Sequence, residues 1–279
     1  GVDKTLQLVE LRYRGLKKIE KHFGADNIDL DWCGGYELFS GQDKYSSEKI
    51  EADAIYLNSL LKPITGEKQT YRLCDDKIKK FRFGQTAHMV KNNYEGYLHS
   101  GKLVQALLQK VVSMGVQVLN GITVNGFENH SDSITLHTDQ PYPFSATQLL
   151  ICTNAFAQEI LPQPVITPAR GQVLLTSPLK SLPWRGPFHY DEGFYYFRNL
   201  GNRVLLGGAR NKAFDEERTT SLTTSDTIQK ELERFLAEVI LPYSNEAYTI
   251  DLRWAGIMGM GSEKMPFVQE LQPNVFCAL

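Results

Sequence analysis

The apolar run at residues 149–152, followed at once by small polar residues, constrains the fold of this chain most strongly. The run is Leu149, Leu150, Ile151 and Cys152, and it leads directly into Thr153 and Asn154. Four apolar residues without alternation predict a strand that is covered on both faces, as in parallel α/β sheets. Ligands of such sheets bind beyond the carboxyl ends of the strands, where Thr153 and Asn154 lie. The run therefore predicts a nucleotide-binding sheet, and an ordinary buried strand that ends in a turn is the alternative.

An amphipathic helix is predicted between Ser100 and Gly115. Ser100 is the predicted N-cap, and Gly115 is predicted to end the helix in a left-handed conformation. The spacing of the apolar residues predicts one buried face, formed by Leu103, Val104, Leu107, Leu108, Val111 and Val112. Residues 116–119 then predict a strand. Val124 follows in the next strand, and a hairpin around residues 129–132 leads to a strand at residues 134–136.

Two more helices are predicted from the same periodicity, at residues 4–23 and at residues 225–240, with Pro242 ending the second. The second helix is interpreted as a cover packed on a sheet. The basic run at residues 77–82 is predicted to be the solvated side of an edge strand, in preference to an anion site.

Composition predicts a soluble globular protein, because 42% of the residues are hydrophobic, 22% are charged and the formal net charge is -2. Nothing in it favours disorder, a nucleic-acid partner or a membrane-spanning segment. The four cysteines lack metal or redox spacing, so we expect reduced core thiols, consistent with the cytoplasm. The histidines are scattered, and no metal site is predicted.

An ordered series of motifs carries a family resemblance. It begins with Gly-Tyr-Leu-His-Ser-Gly-Lys-Leu at residues 96–103 and continues through Val124 to Thr-Asn-Ala-Phe-Ala at residues 153–157. Later segments continue the series, at residues 168–174, 193–198, 204–209, 253–259, 265–266 and 273–276. From about Tyr94 onward the chain resembles the FAD-dependent D-amino-acid oxidase-like superfamily, which includes glycine and sarcosine oxidases.

The resemblance implies an α/β (α+β) fold with two interleaved domains. Residues 1–28, 94–163 and 253–279 are predicted to form a partial FAD-binding domain. Residues 29–93 and 164–252 are predicted to form a substrate domain built on a mainly antiparallel sheet. The prolines at residues 162, 164 and 168 are expected to mark the crossing between the two domains.

The resemblance also implies FAD as cofactor and a small amine or amino acid as substrate. By motif position, the residues expected near the flavin are Val124, Thr153, Asn154, Ala155, Gly256 and Met258. The residues expected near the substrate are Tyr196, Arg198, Arg170 and Arg210. Tyr195 and Tyr196 cannot both face the substrate, because side chains alternate along a strand, whereas Tyr196 and Arg198 share one face. For Val124 an ordinary strand position is the alternative, and for Arg198 a solvent-facing arginine packed on a surface tyrosine.

Three departures from the family pattern limit what the resemblance implies. No Gly-x-Gly-x-x-Gly turn is present in the sequence, and we therefore expect an internal and inactive fragment of a longer oxidoreductase. Met258 stands where glycine oxidase-like members present an arginine for the substrate carboxylate, and a thioether cannot pair with a carboxylate. Residues 261–266 depart from the usual Thr-x-Asp-Gly-x-Pro form. Cys277 could attach a flavin covalently, but a buried strand thiol is the favoured interpretation.

The predicted function is FAD-dependent oxidation of a C–N bond in an amine or amino acid, with the flavin accepting the hydride. Two alternatives stay open. One is a binding or scaffold module that keeps the substrate-domain sheet without cofactor chemistry. The other is the flavin domain of an RNA-modification enzyme, although the near-neutral charge disfavours direct binding of RNA by this chain.

Overall fold

The computed structural model describes residues 1–42, 45–161, 166–261 and 265–279. It has a mixed α/β architecture, which confirms the predicted fold class. Its α-helices are α1 (Val2–Phe23), α2 (Ser47–Thr65), α3 (Asp76–Phe81), α4 (Ser100–Ser113) and α5 (Asp226–Phe235). A π-helical turn, Leu236–Ile240, continues α5.

The strands form one large sheet and two small ones. They are β1 (Gly35–Ser40), β2 (Tyr71–Leu73), β3 (Thr86–Asn92), β4 (Val124–Asn129), β5 (Ile134–Thr138), β6 (Phe144–Ala146), β7 (Leu149–Ile151), β8 (Thr167–Thr176), β9 (Pro187–Tyr190), β10 (Tyr195–Leu200), β11 (Arg203–Gly208), β12 (Ile250–Met260), β13 (Val268–Gln272) and β14 (Val275–Ala278). The eight-stranded sheet has the order β12-β8-β11-β10-β9-β1-β3-β2, and the small sheets have the orders β13-β14-β7 and β4-β5-β6. In the large sheet β1 runs parallel to β9 and antiparallel to β3.

The chain folds into two compact units. Unit 1 contains residues 1–116, 173–209 and 229–253, and unit 2 contains residues 117–172, 210–228 and 254–279. Strands β8 and β12 each contribute residues to both units. The units divide the chain differently from the two predicted domains, since residues 1–28 and 94–116 belong to the same unit as residues 29–93. The functional domain assignment stays a prediction.

An aromatic cluster fills the core of unit 1. Phe188 is fully buried and stacks between Tyr36 and Phe197, with ring centroids 4.8 and 4.9 Å away. Phe235 of α5 stacks on Tyr195 at 4.2 Å, and therefore α5 covers this face of the sheet. The helix predicted at residues 225–240 and its packing against a sheet are confirmed. The helix predicted at residues 4–23 is confirmed as α1.

The core of unit 2 is centred on two parallel strands. Val275, Phe276 and Cys277 of β14 pair with Leu149, Leu150 and Ile151 of β7. Buried side chains pack around this pair: Ile134, Ile151, Ala157, Leu161, Val275 and Cys277. The burial of Cys277 on β14 confirms the prediction for its thiol. The hairpin between β4 and β5 is confirmed by antiparallel pairing from Val124 to Asn129.

Helix α4 differs from its prediction in two respects. Its N-cap is His99, whose Nδ1 accepts a hydrogen bond from the Lys102 amide, and not Ser100. No residue of α4 is buried, and Val104 is 64% exposed, so the predicted buried face is wrong for the described chain. Gly115 does adopt a left-handed φ of 84° after the helix, as predicted.

Three further expectations about secondary structure and burial are wrong. Residues 116–119 form no strand, because their backbone groups join no ladder. The basic run at residues 77–82 lies mostly in α3, where Phe81 is buried and a left-handed Arg82 ends the helix. β7 is covered on one face only, because Leu150 is 59% exposed whereas Ile151, on the opposite face, is buried.

The four cysteines are free thiols. Cys74 and Cys277 are buried and Cys33 is partly buried, but Cys152 is exposed and so is not the core thiol that was expected. The described helices include none that is long and apolar enough to cross a membrane. The predicted crossing at residues 162–164 and the motif positions 262–264 lie outside the described residues.

Candidate functional site

Three polar side chains form a row across neighbouring strands of unit 1. Glu37 of β1 lies opposite His189 of β9, and His189 lies opposite Tyr196 of β10. Residues in register on adjacent strands share a face, so these side chains point to one side of the sheet. Their chain neighbours Leu38 and Phe188 are buried on the other side. We call Glu37, His189 and Tyr196 the polar row.

Two glycines leave space for side chains on this face of the sheet. A Cβ at Gly35, two residues before Glu37, would overlap the carboxylate of Glu95, which therefore lies directly over β1. A Cβ at Gly207 would come within 2.5 Å of the Tyr196 ring. Only glycine provides this space, because every other residue carries a Cβ. Glu95 thus joins the polar row from the loop that precedes α4.

The carboxylates of the site have raised pKa values. Burial raises the pKa of Glu37 to about 7, and the neighbouring charges of Glu95 and Glu192 contribute in the same direction. Burial also raises the pKa of Glu95, against an opposing effect of His189. The Nδ1 atom of His189 lies 3.7 Å from a carboxylate oxygen of Glu37. A carboxylate with a pKa near neutrality can take up and release a proton under ordinary conditions.

The two tyrosines at the start of β10 have different environments. Tyr195 is buried, and its hydroxyl donates a hydrogen bond of 2.5 Å to Glu231. Tyr196 lies on the other face, where it is 38% exposed and burial raises the pKa of its phenol. Arg198 is placed two residues further along, and its guanidinium stacks 4.6 Å above the ring of Tyr97. The alternation expected for Tyr195, Tyr196 and Arg198 is therefore present.

Arg170, which was predicted near the substrate, lies in a buried ion pair. It is buried, and its guanidinium donates two hydrogen bonds to the buried carboxylate of Glu217, at 3.0 and 2.6 Å. A third hydrogen bond goes to the carbonyl of Thr223. The amide of Gln172 donates to the same carboxylate. Because the side chain is buried and three of its five N–H donors are already used, we do not include Arg170 among the proposed substrate residues.

The predicted flavin-contacting turn lies at the carboxyl end of β7 in unit 2. Thr153 is exposed and precedes a short 3₁₀ helix, Asn154–Glu159, in which Asn154 has a left-handed φ of 51°. Ala155 is fully buried. A Cβ at Gly259 would overlap the side-chain oxygen of Asn154, so β12 passes close to this turn. The position beyond a parallel strand is the one at which ligands of such sheets bind.

The other predicted flavin residues are accessible. Val124, the first residue of β4, and Met258 of β12 are each 40% exposed. A Cβ at Gly256 would meet no atom within 4 Å, so the space beside this glycine is open. Arg210 belongs to unit 2 as well, where it lines a cavity with Phe214 and Arg218.

Sequence reasoning missed Glu37, Glu95 and His189. A signal for Glu37 was present, because it alternates with the apolar residues Tyr36 and Leu38 and must therefore face away from the core. The proximity of Glu95 could not be found in this way. It depends on a loop that crosses β1 at Gly35.

A model of the family described as FAD dependent oxidoreductase matches residues 2–279. The chain belongs to this family. The predicted family resemblance is confirmed. A curated relative, the bifunctional protein ThiO/ThiG of Synechocystis sp. (strain ATCC 27184 / PCC 6803 / Kazusa), is 36% identical over 81 residues. That match covers 29% of this family member and 12% of the relative's length.

Solved structures share the fold of this family member. L-proline dehydrogenase from P. horikoshii has a TM-score of 0.73 at 17% identity, covering 97% of this chain and 72% of its own. Glycine oxidase from Geobacillus kaustophilus has a TM-score of 0.71 at 18% identity, covering 96% and 71%. Iminodiacetate oxidase from Chelativorans sp. BNC1 has a TM-score of 0.74 at 15% identity, covering 99% and 74%. Identities this low establish a common fold only.

Proposed function

We propose that this chain belongs to an enzyme that oxidises a C–N bond of a small amine or amino acid with FAD as cofactor. The observation that carries the proposal is the match of the FAD-dependent oxidoreductase family to residues 2–279. The names of the similar structures, which include glycine oxidase and L-proline dehydrogenase, support a nitrogen-containing substrate.

The proposed flavin contacts are Val124, Thr153, Asn154, Ala155, Gly256 and Met258. Thr153 and Asn154 support this assignment, because they lie beyond the carboxyl end of a parallel strand, both are exposed, and Asn154 is left-handed. FAD, when bound, supplies the acceptor for the hydride. The sequence has no Gly-x-Gly-x-x-Gly turn to hold the pyrophosphate, so these residues would form only one part of the cofactor site.

Glu37 is the proposed base of the reaction. An amine is protonated at neutral pH, and its nitrogen must lose that proton before the adjacent carbon can give up a hydride. A carboxylate whose pKa is about 7 is a much better acceptor for this proton than an ordinary glutamate. Above about pH 7, the ionised carboxylate of Glu37 also attracts the ammonium group. Tyr196 and Arg198, on the same face, are proposed to orient the rest of the substrate.

The pH dependence of turnover tests this role. We expect kcat/KM for amine-dependent flavin reduction to rise through about pH 7, as Glu37 loses its proton. Glu37→Gln should lower kcat/KM by roughly 10²- to 10⁴-fold and abolish that rise. Glu51→Gln, which removes an exposed carboxylate on α2, is the matched control and should leave both unchanged. A Glu37→Gln variant with the wild-type rate and pH profile would contradict the assignment.

A further inference from the structure

A cavity in unit 2 is lined by two arginines. Its volume is about 300 Å³. Arg210 begins a short 3₁₀ turn, Arg210–Lys212, and Arg218 lies further along the same loop. The start of β8 and the end of β12 supply the other walls, together with Phe214: Thr167, Pro168, Ala169, Met260 and Gly261. The described lining includes no carboxylate side chain.

Neither guanidinium has a carboxylate partner in the described part of the chain. Arg170, Arg203 and Arg253, by contrast, all form ion pairs at 2.6 to 3.0 Å. Two cations that line one cavity repel each other unless an anion lies between them. The cavity is therefore electrostatically suited to a negatively charged ligand.

Of the three acidic residues between Arg210 and Arg218, Glu216 and Glu217 are directed toward Arg170, and Asp215 does not line the cavity. Glu217 is buried and accepts hydrogen bonds from Arg170 and Gln172. Glu216 lies 3.7 Å from the guanidinium of Arg170. Two of the three carboxylates of the loop therefore lie at Arg170, and the charged side chains among the described lining residues, Arg210 and Arg218, are both positive.

The guanidinium of Arg210 is held in place before any ligand binds. Its central carbon lies 4.9 Å from the centre of the Phe214 ring, a cation–π contact that restricts the orientation of the guanidinium plane. An arginine fixed in this way loses less conformational freedom when it forms paired hydrogen bonds to an oxyanion.

We propose that this cavity binds a small organic dianion, either a phosphate monoester or a dicarboxylate. Two arginines match two negative charges, and each planar guanidinium can donate two parallel hydrogen bonds to such a group. A phosphate monoester carries about -1.5 to -2 charges at pH 7. The volume suffices for the oxyanion and a short organic part. This binding requires neither flavin nor amine oxidation.

Titration calorimetry with inorganic phosphate and with malonate, at constant ionic strength, tests the proposal. We expect saturable binding of at least one probe by the wild-type chain. Arg210→Gln and Arg218→Gln should each weaken it by about tenfold or more, because each removes a charge-assisted contact. Tighter binding of phosphate identifies the monoester class, and tighter binding of malonate identifies the dicarboxylate class.

Lys212→Gln is the matched control. It removes one exposed positive charge from the same 3₁₀ turn but does not line the cavity, so it should change the affinity less than about threefold. Circular dichroism checks the folding of each variant, and the exposed Arg218 keeps the test available if Arg210→Gln does not fold. The proposal is overturned if neither probe binds saturably, or if Lys212→Gln weakens binding as much as Arg218→Gln.

Discussion

Three glutamates of this chain show how the environment of a residue decides its role. Glu217 is buried against Arg170, so its charge is neutralised and its function is structural. Glu37 is about one-third exposed and lies near a second carboxylate, Glu95, with His189 3.7 Å away. Burial, and then the charge of Glu95, raises the pKa of Glu37 to about 7. The same carboxyl group is a fixed ion-pair partner at residue 217 and has a raised pKa at residue 37, where we propose that it acts as a base.

The raised pKa of Glu37 should make stability depend on pH. The folded chain keeps a proton on Glu37 up to about pH 7, whereas the unfolded chain loses it near the ordinary value of 4.5. The stability that the neutral form contributes is present below pH 4.5 and is lost as the pH rises through 7. Glu37→Gln stays neutral, so it should gain about 1 kcal/mol of unfolding free energy over wild type between pH 4.5 and 8, a value discounted for solvent screening.

Urea unfolding of wild type, Glu37→Gln and Glu51→Gln at a series of pH values measures this difference. Glu51→Gln removes an exposed carboxylate outside the polar row. Its unfolding free energy should equal that of the wild type at every pH. Parallel curves for wild type and Glu37→Gln would contradict the burial of charge at residue 37.

At the scale of elements, hydrophobic periodicity located helices but not their partners. The apolar spacings of α1, α4 and α5 predicted all three helices. Periodicity reports that a helix is amphipathic, and it does not say whether another element covers the apolar face. α5 packs on the large sheet through Phe235, whereas α4 has no buried residue. The prediction that one face of α4 is buried was wrong for this reason.

Matched leucine substitutions separate these two helices. Leu232 of α5 is fully buried, so Leu232→Ala should lower the unfolding free energy by about 2–5 kcal/mol through the cavity that it leaves. Leu108 of α4 is 44% exposed, and Leu108→Ala should change the unfolding free energy by less than about 0.5 kcal/mol. Denaturant midpoints measure both changes. Equal losses would show that α4 is covered as fully as α5.

Strand alternation predicted part of the candidate site. It placed Tyr196 and Arg198 on one face and excluded Tyr195, because the period of a strand is two residues. It could not place Glu95, which reaches β1 from a distant loop. It also could not foresee that Arg170 is paired with Glu217, since the partner is 47 residues away in the chain. Long-range pairing of this kind is a property of the fold and leaves no local pattern.

At the scale of the whole molecule, family membership and fold agree, and the ordered motifs predicted both. The match over residues 2–279 and the similar structures support a flavin enzyme. The domain boundaries were harder to predict, because the chain passes repeatedly between its two units. The sequence gives no comparable signal for the identity of the substrate, since Met258 departs from the family pattern and the polar row lies on other strands, β1, β9 and β10.

Anaerobic reduction of bound flavin tests the central claim most directly. The protein that carries this chain would be incubated with FAD, separated by gel filtration and mixed with a panel of primary amines, secondary amines and amino acids. We predict that the visible flavin band is retained after filtration and is bleached by at least one member of the panel. A protein that binds flavin but is bleached by none of them, or that never binds flavin, would contradict the proposed function.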